Sequence, residues 1–170
     1  VEVLGAPCPD VLTTVRHLKG GVSGGTAASM LQLMDEAATD PEVRRLVADP
    51  YALNPVDLRH GPDQDATVRP TRDPSDGRWQ APFVMAAVNT KVVHRTHALL
   101  GRPWGPDLRY REVMDTGAGP LGAVRAAAVA GGLAAGQGLA ALRPGRALLG
   151  RVVPSPGSGP SPRADWEHRR

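Results

Sequence analysis

Cysteine, lysine, isoleucine and aromatic residues are scarce or absent in this sequence. Its 170 residues include one cysteine, three Trp, two Tyr and one Phe, and they include no isoleucine. A single cysteine excludes a disulfide framework and a zinc site built on several thiolates. Arginine greatly outnumbers lysine, the net charge is only +3, and no basic cluster is interleaved with aromatic residues. We therefore expect no nucleic-acid partner.

We expect no secretion signal, because none is visible in the amino-terminal residues of this sequence. The first residue is Val1, and no positively charged stretch precedes an apolar run. We therefore expect a cytoplasmic protein. The pattern of Val1–Leu4 is typical of the middle of a strand, so we expect the chain to be a fragment or a truncated copy of a longer protein.

The hydrophobic periodicity predicts a mixed fold, α+β or α/β, with a few strands and three or four helices. Strands are predicted at about 1–5, 11–19 and 107–114, and helices at 26–39, from Asp40–Pro41 to Asp49, at 82–100 and at 118–142. Val84, Val88, Val92 and Leu99 are predicted to form the apolar side of the third helix. Residues 52–80 show no periodicity, so we expect a long mixed-charge loop.

Few residues stand out as chemical candidates, and the catalytic residues remain unassigned. The glycine-rich turn Gly20–Thr26, with Thr26 as helix N-cap, is either a structural turn or a ligand contact at a helix start. His94 and His97 lie three residues apart on one predicted helix, but no third ligand accompanies them. We therefore predict a solvated or interhelical histidine pair and no metal site.

Residues 118–142 consist almost entirely of Ala, Gly, Leu and Val, and the stretch Ala126–Leu142 carries no charge; its 17 residues are slightly too few for the roughly 20 of a spanning helix. Two interpretations stay open, namely a helix buried in the core and a helix at a membrane surface. Between Gly117 and Ala164 arginines occur without any acid, which favours anionic lipid. We expect a helical hairpin over 118–152 at the inner face of the plasma membrane, with membrane contacts from Arg146, Leu148, Leu149 and Arg151.

Several strings in a fixed order carry a family resemblance. They are Gly20–Ser29, Asp40–Leu53, Ala81–Ala86, Asn89–Arg95, Leu99–Gly101, Trp104–Gly105, Tyr110–Glu112 and Pro156–Ser161. Together they resemble the saccharopine dehydrogenase-like oxidoreductases, in particular the bacterial trans-acting enoyl reductases, over roughly residues 10–162. The Gly-x-x-Gly-x-x-Gly fingerprint of the family's amino-terminal Rossmann domain is missing here, as are the closing strands after Gly159–Ser161.

The resemblance implies the central part of the second, substrate and dimerisation domain of such an oxidoreductase. It implies NADP(H) as the cofactor of the whole enzyme, with none bound to this chain alone, a lipid-linked substrate and a homodimer. Residues 1–116 would form a partial α/β substrate domain, 117–153 an apolar and cationic helical segment, and 154–170 a flexible tail. The candidates that face substrate or cofactor are Ser23, Gly24, Gly25, Thr26 and Asn89. The alternative is a non-catalytic remnant that acts as a membrane- or partner-binding module.

Overall fold

The computed structural model describes residues 7–17, 24–64 and 68–142, together with residues 144, 145 and 148. These residues form a mixed α/β structure, which is compatible with the α+β expectation. In chain order the elements are β1 (Asp10–Val15), α1 (Gly24–Thr39), α2 (Pro41–Ala48), a 3-10 turn (Val56–Leu58), β2 (Thr71–Arg72), β3 (Trp79–Pro82), α3 (Ala86–Leu99), β4 (Arg109–Gly117) and α4 (Gly119–Ala141).

The four strands form one sheet in the order β1-β4-β3-β2. Strand β1 runs parallel to β4, with Asp10 opposite Arg109. Strand β3 runs antiparallel to both β4 and β2. Long β4 therefore lies between two partners, and its Val113 and the Ala81 side chain of β3 are almost fully buried. The sheet thus has one parallel pair and two antiparallel pairs.

The start of α2 follows the capping rules closely. The carboxylate of Asp40 accepts a hydrogen bond from the backbone N–H of Glu42 at 2.7 Å, and Pro41 occupies the first helical position. Arg44 then donates to the carbonyls of Ala37 and Ala38 in the last turn of α1. The predicted short helix from Asp40–Pro41 to Asp49 is confirmed.

Four predicted boundaries are wrong in detail. The predicted loop 52–80 contains β2 and the first residues of β3, whose short pairing leaves too few residues for a visible period. Pro82 ends β3, so α3 begins four residues later, at Ala86. Helix α1 begins at Gly24, before the predicted N-cap Thr26, and β4 is shifted from the predicted 107–114 to Arg109–Gly117.

The predicted apolar face of α3 is also wrong. Val84, Val88, Val92 and Leu99 are exposed, whereas the buried residues of this helix are His94, His97 and Ala98. The reason is that the two imidazole rings find aromatic neighbours: His94 lies against Tyr51, and His97 stacks on Trp104. Packing of these rings decides which side of α3 faces the protein.

The chain divides into two compact units. The first takes the described residues within Val1–His17 and Leu46–Leu133, and the second takes those within Leu18–Arg45 and Ala134–Arg170. The sheet and α3 belong to the first unit, and α1 belongs to the second. The domain limits predicted at 116 and 153 stay predictions, and the predicted strand 1–5 and tail 154–170 lie outside the described residues.

Helix α4 confirms the predicted long apolar helix, with bounds of Gly119–Ala141. Across the described part of the chain, neither α4 nor any other helix combines the length and the hydropathy that crossing a bilayer requires.

Candidate functional site

The predicted glycine-rich site lies partly within the described residues. Gly24, Gly25 and Thr26 form the first turn of α1, with Gly24 buried and the other two exposed. Ser23 lies outside the described residues. Asn89 belongs to the other unit, so its approach to the glycine-rich turn stays a prediction.

The predicted membrane-contact residues are mostly outside the described part of the chain. Arg146, Leu149 and Arg151 are not described, whereas Leu148 is helical and exposed. The second arm of the predicted hairpin therefore stays a prediction.

A buried polar pair joins α3 to β4. The side-chain amide of Asn89 donates to Glu112 Oε2 at 2.7 Å, and Glu112 is only 8% exposed. Glu112 lies opposite Thr13 of β1, in the middle of the sheet. A carboxylate this deep needs a hydrogen-bond donor, because burial removes its hydration. The Asn89 side chain supplies that donor, and the hydrogen bond to Glu112 holds the Asn89 side chain in place.

Sequence reasoning named Asn89 but missed its partner. The period of two in β4 puts Glu112 on the same face as Leu108, Tyr110 and Met114. That alternation was the available signal, because it places Glu112 among apolar side chains. Arg111 points to the opposite face and forms an ion pair with Asp10 at 3.1 Å.

A second polar cluster lies where α3 meets the segments 50–64 and 102–108; we call it the histidine pocket. Its floor contains His94 and His97, which are 2% and 5% exposed. The rings of His94 and Tyr51 have centroids 4.7 Å apart, and His97 stacks on Trp104 at 5.0 Å. Burial, aided by the neighbouring His97, lowers the pKa of His94 from 6.5 to about 4. His94 is therefore neutral at pH 7.

The Tyr51 side chain lines the histidine pocket and is held by two hydrogen bonds. Its hydroxyl donates to the carbonyl of Pro62 at 2.7 Å and accepts from Gln64 Nε2 at 2.7 Å. Gln64 continues this network to β4, because its amide oxygen accepts from the backbone N–H of Tyr110 at 3.0 Å. Burial raises the pKa of Tyr51, so its hydroxyl keeps its proton. The segment 51–64 is thereby tied to the sheet.

The histidines do not form a metal centre with their described neighbours. Within residues 7–17, 24–64 and 68–142, no group of three or more His, Cys, Asp or Glu side chains converges in a way that could hold a metal ion. His97 Nε2 instead lies 2.8 Å from the carbonyl oxygen of Gly105. The prediction of a solvated or interhelical pair is wrong, because both rings are buried and their ring partners, Tyr51 and Trp104, lie outside the helices.

Comparison with known proteins gives relatives along most of the chain. A Mycobacterium tuberculosis protein whose name includes the words trans-acting enoyl reductase is 42% identical over an alignment of 163 residues that covers 89% of this chain. The trans-acting enoyl reductase of Mycobacterium bovis is 40% identical over an alignment of 149 residues that covers 82% of the chain. That of Mycobacterium ulcerans is 39% identical over an alignment of 149 residues, which also covers 82% of the chain.

The chain is similar to trans-acting enoyl reductases. It spans only 38% of the length of the M. tuberculosis relative and 36% of the length of the M. bovis relative. No model of a protein family matches the sequence. No solved structure matches it either.

The described residues do not fit a dinucleotide-binding domain. Such a domain uses successive parallel strands joined by helices, with a glycine-rich turn at the first strand. The described sheet has one parallel pair, β1 with β4, and its other two pairs are antiparallel. We therefore assign no residue described here to the binding of NADP(H) phosphates.

Proposed function

We propose that this chain forms part of an NADP(H)-dependent trans-acting enoyl reductase that reduces a double bond in a lipid-linked, polyketide-derived substrate. The observation that carries the proposal is the 42% identity along 89% of the chain. The order of the sheet supports a substrate-binding part of a saccharopine dehydrogenase-like enzyme rather than its cofactor domain. The hydride would come from NADP(H), which the rest of the enzyme would bind.

In this proposal Asn89 is a positioning residue for the substrate, and Ser23, Gly24, Gly25 and Thr26 are separate candidates that face substrate or cofactor. The Asn89–Glu112 hydrogen bond supports this role, because it fixes the first turns of α3 against β4. A helix start held in this way offers a rigid edge for a substrate. Gly24 is buried at the start of α1, so a larger side chain would change that turn.

The test uses the whole natural gene product with an enoyl thioester substrate. We expect NADPH oxidation that matches the loss of the double bond, measured by absorbance and by mass spectrometry. Asn89→Leu should lower kcat/KM at least tenfold, whereas Val88→Thr, at an exposed position on the same helix, should leave it unchanged. Absence of NADPH-dependent reduction by a folded full-length protein would refute the proposal.

A separate test addresses the glycine-rich turn. Gly24→Val in the whole gene product should lower activity far more than it lowers the melting temperature. An equal loss of both would show that the turn is only structural.

We also propose a peripheral location at the cytoplasmic face of the membrane, which would bring the enzyme to a lipid-linked substrate. The exposed Leu121, Val124 and Leu142 of α4 and its carboxyl-terminal flank support this second role. Co-sedimentation with vesicles that contain anionic lipid tests it. Binding should weaken with salt and with the double variant Arg146→Glu/Arg151→Glu. Absence of binding by the folded protein would leave this helix without a membrane role.

A further inference from the structure

Three buried polar atoms of the histidine pocket lack a hydrogen-bond partner among the described residues. They are His94 Nε2, His97 Nδ1 and Asn54 Oδ1. The side chains that carry them are 2%, 5% and 5% exposed, so bulk water does not solvate them. Buried polar groups are nearly always paired with protein, water or a ligand. Three such atoms lining one pocket indicate a binding site.

The hydrogen-bond pattern defines what these atoms need. His97 Nε2 must carry the proton that the Gly105 carbonyl accepts at 2.8 Å, so Nδ1 presents a lone pair. The amide nitrogen of Asn54 donates to the carbonyl of Leu58 at 2.9 Å, so its oxygen remains as an acceptor. His94 is neutral, and its Nε2 can donate or accept. The pocket therefore calls for at least two donor hydrogens, and the inner cavity of about 10 Å³ has room for a single atom to carry both.

The available space has two parts on the same segment of chain. The inner cavity beside the histidines has a volume of about 10 Å³, enough for roughly one non-hydrogen atom. An open depression of about 520 Å³ shares the lining residues Tyr51, His60, Gly61 and Pro62. That volume is within the range of about 300–1,000 Å³ of small-molecule sites. A ligand that enters beside these shared residues would place one terminal atom inside and its remaining atoms in the depression.

The charges around the opening select among donor groups. Arg102 lines the inner cavity and lies 3.1 Å from His60 Nε2, and Arg59 lines the depression. Asp63 is an acid on the same rim, so cations outnumber acids there. This balance disfavours an ammonium group and favours a carbonyl oxygen near the guanidinium groups. A nitrogen with two hydrogens next to a carbonyl is a primary carboxamide.

We propose that the histidine pocket is a binding site for the terminal primary carboxamide of a small molecule. The amide N–H groups donate to Asn54 Oδ1 and His97 Nδ1, His94 Nε2 contacts the same amide group, and the amide carbonyl faces Arg102. The body of the ligand occupies the open depression beside Tyr51. This site involves neither Asn89 nor the glycine-rich turn, so it stands apart from the proposed reductase function.

Acetamide and N,N-dimethylacetamide provide a matched pair of probes, because both have the carbonyl and only acetamide has N–H donors. The full chain is labelled with ¹⁵N in its histidines and titrated with each probe in turn. We expect acetamide to shift the His97 Nδ1 and His94 Nε2 resonances in a saturable way, with a dissociation constant on the order of 1 mM. N,N-dimethylacetamide should bind at least tenfold more weakly.

Variants then place the binding in the pocket. His94→Phe keeps an aromatic ring beside Tyr51 and should weaken acetamide binding at least tenfold. Thr96→Val, two residues along the same helix at an exposed position, should bind acetamide like the unaltered chain.

Two results would overturn the proposal. One is the absence of a saturable shift with acetamide, which would leave the site to water alone. The other is an equal response to the two probes, which would show that the N–H donors are not recognised. Both results come from the unaltered chain, so they hold even where the His94 variant fails to fold.

Discussion

Acidification should destabilise the first unit through His94. This ring is 2% exposed and its pKa in the folded protein is about 4, against 6.5 in the unfolded chain. The unfolded chain therefore takes up a proton at a pH where the folded protein does not. The stabilising contribution is fully present above pH 6.5 and is lost as the pH falls to about 4. The difference of about 2.5 pH units corresponds to about 3 kcal/mol of unfolding free energy.

Urea unfolding between pH 7.5 and pH 4, followed by tryptophan fluorescence, measures this loss. Trp104 stacks on His97 and so reports on the pocket itself. His94→Phe removes the titrating group and keeps a ring against Tyr51. Between pH 7.5 and pH 4, the unfolding free energy of this variant should fall by about 3 kcal/mol less than that of the unaltered chain. His17→Gln, which removes an exposed histidine instead, serves as the matched control and should behave like the unaltered chain.

Equal pH slopes for the unaltered chain and His94→Phe would refute the reasoning. Other groups do not obscure the result. Hydrogen bonding from Arg78 lowers the pKa of Asp115 below 3.8, so Asp115 loses its contribution only at more acidic pH. His97, Tyr51, His60 and Arg102 line the same pocket, and all are present in both proteins.

Three further predictions concern stability. Lys91→Met should lower the unfolding free energy by about 1–2 kcal/mol, measured by urea unfolding, because the Lys91 ammonium donates to carbonyls at the end of α2. Gly61→Ala should lower the unfolding free energy by about 1–3 kcal/mol, because a Cβ there would lie 2.4 Å from the Tyr51 hydroxyl. Gly131→Ala, in open space on α4, should instead raise the unfolding free energy by about 0.5–1 kcal/mol. Equal shifts of the melting temperature for the two variants would contradict this. Below pH 3.8 the unfolding free energy of Asp115→Asn should fall less steeply with pH than that of the unaltered chain, because the lowered pKa of Asp115 makes its stabilising contribution disappear as the pH falls. The same pH dependence in both proteins below pH 3.8 would argue against this.

The elements that could be predicted from sequence are those with strong local signals. Asp40, Pro41 and Glu42 specify the start of α2 through one hydrogen bond and one ring, and no distant residue is needed. Helix α4 follows from the long run of Ala, Leu, Val and Gly after Gly119, which only Arg125 interrupts with a charge. Strands β2 and β3 could not be found in this way, because they have two and four residues and exist through pairing with partners outside any local window.

The candidate sites show the same division between local and long-range information. The sequence singled out Asn89, His94 and His97 as candidate residues, but the contacts of Asn89 and His94 in the structure are made with residues far away in the chain. Glu112 is 23 positions from Asn89, and Tyr51 is separated from α3, which carries His94, by a 3-10 turn and two strands. Their exposure could not be read from neighbours in sequence. Only the alternation within β4 carried a hint, by placing Glu112 among apolar side chains.

The orientation of α3 explains why hydrophobic periodicity failed for this helix. Periodicity weighs each side chain by its transfer from water, which ranks valine above histidine. His94, His97 and Ala98 have the same helical spacing as the valines and face the protein, because Tyr51 and Trp104 provide flat rings for them. His97 gains a carbonyl partner as well, so its burial removes less hydrogen bonding than a transfer scale assumes. The result is a buried pocket in which His94 Nε2, His97 Nδ1 and Asn54 Oδ1 have no hydrogen-bond partner among the described residues.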